Sequence, residues 1–228
     1  MTVSKSAVMK AFTERFRRDG TAERAEGMKA YMKSELSFFG VDQGTVRAAA
    51  RELSSEHAEE PLSALLPALE ALAASDWFEL RSAAIGVLER RRKDLEPAHL
   101  DMLIRWVERM ACWAHVDWIA TKLVGPVIAR SPKEKARLLR WAKAPSFWVR
   151  RTAILAQLEA LSRGGGDFEL FTRIAVPLLG EKEFFIRKAI GWVLRAVSRK
   201  RPDLVRAFLA EHGEVMSGLT RREASKYI

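Results

Sequence analysis

The 228-residue sequence contains one cysteine, Cys112, which excludes a disulfide framework within the chain. Its four histidines, His57, His99, His115 and His212, show no HxxxH spacing and no CxxC accompanies them, so neither a zinc site nor any other metal or cofactor is expected. No stretch approaches a membrane-spanning length without charge, and the opening MTVSKSAVMKAFTERFRRDG is charged where a secretory leader needs an apolar core. An intracellular, cytoplasmic protein with no membrane partner is the expectation. Alternation of Val, Ile, Thr and Tyr is nearly missing, which leaves little material for a sheet.

What is present points the other way. Ala, Leu, Arg and Glu dominate, and apolar residues recur at steps of three and four, as an all-α protein requires. A hydrophobic content of 48% is ample for a packed core. Breakers fall at Gly20, Gly40, Pro61, Ser75-Asp76, Pro97, Ser131-Pro132, Pro145-Ser146, 164–166, Gly180, Pro202 and Gly213, which divides the chain into about a dozen helices joined by short turns. The net charge of +10 is placed unevenly. Residues 1–114 hold 17 Lys/Arg against 18 Asp/Glu, whereas residues 115–228 hold 22 against 11, so the basic excess lies in the second half. Such one-sided charge suits a polyanion, with nucleic acid ahead of a membrane surface.

Four segments resemble one another: WFELRSAAIGVL (77–88), WAHVDWIATKLV (113–124), FWVRRTAILAQL (147–158) and FFIRKAIGWVL (184–194). Alignment on Ile85, Ile119, Ile154 and Ile190 gives intervals of 34, 35 and 36 residues. A period of that length, filled by two helices per unit, marks a HEAT-like solenoid, a right-handed α-α superhelix with a concave basic face. With the aligned isoleucines facing the core, the 100° step of a helix turns Trp113, Asp117, Trp148, Arg151, Arg187, Lys188 and Trp192 toward one lateral face. Asp117 is conspicuous there, since it is the single carboxylate in a run of aromatics and aliphatics. A lone acid in such a run is open to three readings: a cap, a buried structural acid, or a chemical centre. Trp77, Trp106, Trp118 and Trp141 read as packing residues, with Trp148 leaning the same way.

The order W113-x-x-x-D117, FWVRRTAI with Arg151, and KEFFIRKAIGW ending at Trp192, together with AYMKSELSFFG (30–40) and the closing LTRREASKYI (219–228), resembles the HEAT-repeat alkylpurine DNA glycosylases, the AlkD-like DNA alkylation repair family. The resemblance runs from about residue 8 to the end of the chain and implies one glycosylase domain over 1–228. It implies that Asp117 is the catalytic carboxylate, that Trp113 and Trp192 wall the deoxyribose of the damaged nucleotide, and that Arg151 contacts a phosphate. Tyr31 matches a family tyrosine near the same cleft, and Lys188 lies on the face that meets DNA. Some relatives carry a second acid directly after the first tryptophan, where this chain has Ala114, followed by His115. The implied activity is that of a monofunctional enzyme acting without base flipping on double-stranded DNA that carries alkylated bases; a monomer, associated with the nucleoid when bound to DNA, is the expectation.

The chemistry is coherent on its own terms. Hydrolysis of an N-glycosidic bond passes through an oxocarbenium-like sugar, which a nearby carboxylate can stabilise while it positions water. An N3- or N7-alkylated purine is already cationic and leaves neutral, so one Asp can suffice without a general acid. Indole faces beside the sugar add cation–π attraction as positive charge develops, about 0.5–2 kcal/mol each. Two other functions compete: a non-catalytic HEAT-repeat protein that binds damaged or branched DNA, and a protein-binding HEAT scaffold. His115 reads as a packed or cleft-lining residue rather than a base.

Overall fold

The computed structural model describes residues 3–228, which form helices, with no strand among the described residues beyond one isolated bridge between Ser37 and Trp77. The chain divides into two compact units, one built from Met1–Glu96 and Arg109–His115, the other from Pro97–Glu108 and Val116–Ile228.

In the first unit lie α1 (Lys5–Asp19), α2 (Ala22–Met32), α3 (Gln43–Glu56), α4 (Leu62–Ala73) and α5 (Phe78–Arg90). Their starts follow local chemistry: Thr21 and Asp42 accept from the backbone N–H groups of Arg24 and Thr45, satisfying donors that the first turn leaves open. α5 is buried on nearly every side and packs against α3 and α4. The SELSFFG segment explains itself here. Phe38 stacks on Phe78 with ring centroids 4.9 Å apart, and Phe39 stacks on Trp77 at 3.9 Å. The fully buried Glu79 carboxylate accepts from the backbone N–H groups of Phe39 (3.0 Å) and Gly40 (2.8 Å), so a buried charge secures the loop that inserts both rings. Gly40 is required at that turn: its φ is +77°, and a Cβ would lie 2.1 Å from the carbonyl oxygen of Thr21.

α6 (Leu100–Met110) and α7 (Trp113–Trp118) each contribute residues to both units. The second unit continues through a π-helical turn (Ile119–Val124), α8 (Gly125–Arg130), α9 (Lys135–Trp141), α10 (Phe147–Leu155), α11 (Leu158–Ser162), α12 (Phe168–Ala175), α13 (Phe184–Ser198), α14 (Pro202–His212) and α15 (Gly218–Ala224). α13 is its central element and packs against α10, α11, α14 and α15.

The repeat is visible in burial and in bonding. Ile85, Ile119 and Ile154 are fully buried and Ile190 is 1% exposed, as their alignment requires. Arg81, Arg150 and Arg187, near the starts of α5, α10 and α13, each donate to a carbonyl six residues back, those of Ser75 (2.5 Å), Ala144 (2.7 Å) and Glu181 (2.6 Å). Each arginine thus satisfies a loop carbonyl ahead of its own helix. The matching position on α7, 34 residues after Arg81 and 35 before Arg150, is His115. There Arg81 reaches forward instead, donating to the carbonyl of Met110 at 3.4 Å. Long-range side-chain pairs likewise span about one repeat: Arg15 with Glu52, Ser82 with His115, Arg137 with Asp101, Asp117 with Arg151, and Lys188 with Glu223. Pairs that recur at one-repeat spacing are what stacked helix pairs produce.

Candidate active site

The sequence around Asp117 departs from a regular helix for a local reason. Pro126 has no N–H to donate, and in an α-helical ladder its ring would meet the carbonyl of Lys122. The ladder opens into the π turn instead, where the N–H of Gly125 reaches the carbonyl of Ala120, five residues back. Gly125 is the second position at which glycine is required, because a Cβ would sit 2.3 Å from the carbonyl oxygen of Ala156 at the end of α10. The widened turn begins two residues after Asp117. The Thr121 hydroxyl donates to the Asp117 carbonyl at 2.7 Å and completes the local bonding.

Asp117 is held by a two-pronged bond. Arg151 Nε donates to Oδ1 at 2.7 Å and Nη2 to Oδ2 at 2.8 Å, while Nη1 donates to the carbonyl oxygen of Phe185. The guanidinium also lies 5.7 Å over the Phe185 ring. The Arg151 side chain is 4% exposed and that of Asp117 is 14% exposed, so the acid retains more contact with solvent than the guanidinium that holds it. Burial pushes Asp117 above the usual carboxylate value, and the Arg151 bonds oppose that shift. A carboxylate fixed on both oxygens, in a side chain that retains some exposure, is suited to face a developing cation without reorganising.

The remaining expected site residues fall into separate settings. Trp113 opens α7, four residues before Asp117, is half-buried, and meets the exposed Tyr31 edge-on at 5.8 Å. Trp192 is half-buried on α13 and lines an open cleft of about 400 Å3 with Thr121, Lys122, Leu158, Glu159, Ser162, Arg163 and Ala196. Lys188, expected to face DNA, bonds Glu223 at 2.5 Å, and Arg195 donates to the other oxygen of the same carboxylate. Arg151, expected to reach a phosphate, has its guanidinium buried and committed to Asp117 and Phe185. The Arg150 beside it bonds Glu181 and the carbonyls of Ala144 and Pro145.

His115 is a packed residue: 1% exposed, stacked on Phe78 at 4.3 Å, with Nε2 2.9 Å from the Ser82 hydroxyl. Burial, reinforced by the Arg81 cation, holds its pKa down at about 3, so the ring is neutral. Of the tryptophans read as packing residues, Trp106 is fully buried, whereas Trp77, Trp118, Trp141 and Trp148 are half-buried. Sequence reasoning missed the Glu79 anchor and the π turn. The Gly125-Pro126 pair was the available signal for the turn; nothing local marked Glu79, whose partners lie about forty residues earlier. Among the described residues no group of three or more His, Cys, Asp or Glu side chains is placed to hold a metal, and no helix is long and apolar enough to cross a membrane.

Fold and site together define a class: an all-α protein of successive helix pairs that carries a half-buried, guanidinium-clamped acid on α7. The family model for DNA alkylation repair enzymes matches residues 12–228, and the chain belongs to that family. It is similar to a predicted DNA alkylation repair enzyme from Enterococcus faecalis, at 28% identity and a TM-score of 0.80, over 92% of this chain and 97% of that one. It is also similar in fold to AlkD2 from Streptococcus mutans, at 19% identity and a TM-score of 0.56, over 96% of this chain and 99% of that one. Comparison with curated protein sequences gives no match.

Proposed function

We propose that the chain is a monofunctional DNA glycosylase that hydrolyses the N-glycosidic bond of N3- and N7-alkylated purines, such as 3-methyladenine and 7-methylguanine, in duplex DNA. The observation that carries this reading is the Asp117–Arg151 pair: an acid within a family of repair enzymes, fixed on both oxygens and still partly exposed. Asp117 stabilises the oxocarbenium-like sugar and positions water. The substrate base is cationic before it leaves, which removes the need for a second acid and fits a chain with Ala114 where some relatives carry one. Trp113 and Trp192 offer indole faces to the sugar, with Tyr31 beside Trp113. Arg151 acts as a positioning residue that keeps the carboxylate oriented. Recognition through sugar and backbone, with no pocket for an extruded base, accords with the absence of a base-reading motif in the sequence.

The test is release of methylated purines from alkylated duplex DNA by the wild type and by Asp117→Asn in parallel. The variant is expected to lose at least about 100-fold in rate, the scale of removing one preorganised electrostatic group. Equal release by both proteins would remove Asp117 from the mechanism. DNA binding without release by the wild type would favour the non-catalytic alternative.

A further inference from the structure

The cleft beside Trp192 contains cations that the proposed chemistry leaves unassigned. Lys122 and Arg163 share one carboxylate, Glu159: Lys122 Nζ bonds Oε1, and Arg163 Nη2 lies 3.5 Å from Oε2. Two cations on one anion leave a net positive cleft. Both cations remain open to solvent, with side chains 39% and 78% exposed. Arg151, by contrast, is buried and engaged, so it does not present a guanidinium to a phosphate in this structure.

Lys122 lies within the π turn and lines the same cleft as Trp192, next in the chain to the Thr121 whose hydroxyl bonds the Asp117 carbonyl.

We propose that Lys122 and Arg163 form a backbone-phosphate site flanking Trp192, with Glu159 occupying it as an internal anion until a DNA phosphate displaces it. The proposal rests on the reading of this face as the DNA-binding side. It adds that the strand is held by two cations beside Trp192, Lys122 on the π turn and Arg163 at the end of α11. Charge-assisted bonds to phosphate carry no sequence information, which suits an enzyme that recognises damage through the sugar and backbone.

The test is equilibrium binding of an unmodified duplex, followed by fluorescence anisotropy across a salt series, for the full chain and for Lys122→Gln, Arg163→Gln, Glu159→Gln and Arg206→Gln. Arg206 pairs with the exposed Asp203 on α14, outside the cleft, and serves as the control. The first two variants are each expected to lower the slope of log K against log salt by about 0.9, the value for one released phosphate contact. Glu159→Gln is expected to tighten binding at least threefold, and Arg206→Gln to bind as the wild type. Wild-type slopes in both cation variants, with unchanged circular dichroism, overturn the proposal; so does failure of the wild type to bind duplex at low salt. Base release is measured separately: a protein that shows these slope changes and releases no base retains the phosphate site and loses the glycosylase reading.

Discussion

Protonation of Asp117 removes the negative charge on which the proposed chemistry depends, so enzyme-dependent base release is expected to fall as pH is lowered. Because burial raises this group, the midpoint should lie above the usual aspartate value. Arg151 opposes the shift, so Arg151→Met should move the midpoint to still higher pH; a midpoint that stays put would show that the pair does not tune the acid. The same variant leaves a buried carboxylate without its partner and should cost about 3–5 kcal/mol in chemical denaturation, relieved in part by adding Asp117→Asn. His115 behaves oppositely. Its folded value of about 3 lies below the ordinary 6.5, so the unfolded chain takes up the proton first. The stability it contributes is fully present above about pH 6.5 and declines as pH falls toward 3. The stability difference between wild type and His115→Gln should therefore shrink steadily across that interval. A constant difference would mean that the ring titrates alike in both states.

At the scale of elements, the π turn links one sequence pair to the site. Gly125→Ala places a methyl group against the Ala156 carbonyl, and the backbone on both sides must shift. A loss of about 1–3 kcal/mol is expected in denaturant unfolding, with reduced base release because the turn also carries Lys122. Unchanged stability and activity would show that α8 and α10 separate without consequence. The turn also shows which parts of the structure were legible in sequence. Helix ends at Gly20, Pro61, Pro97, Ser146, Pro202 and Gly213 follow from caps and breakers, whose physics is local. The aligned isoleucines follow from periodicity, since all four are buried. Asp117 stood out because an acid in an apolar run has to be satisfied somewhere. Its partner was not legible: an arginine 34 residues away bonds acid or phosphate equally well, and only packing decides that Arg151 folds inward. Lys188 was expected to face DNA, and its bond to Glu223 was not legible because that residue comes from an element outside the aligned segments.

For the molecule as a whole, bonding at one-repeat spacing predicts that stability is a chain of neighbouring terms. Glu223 tests this at the far end of the sequence, because it joins α15 to both Lys188 and Arg195 on α13 and packs over Gly191, where a Cβ would stand 2.6 Å from its own. Glu223→Ala leaves two half-buried cations without their anion and loosens the α13–α15 contact. Under a nearest-neighbour scheme, amide hydrogen exchange should accelerate in α15 and the facing part of α13. Exchange in α3, α4 and α5 should remain as in the wild type, since no bond of Glu223 reaches them. If those helices accelerate by the same factor, the opening they report is global, and the repeat bonding pattern does not partition stability along the chain.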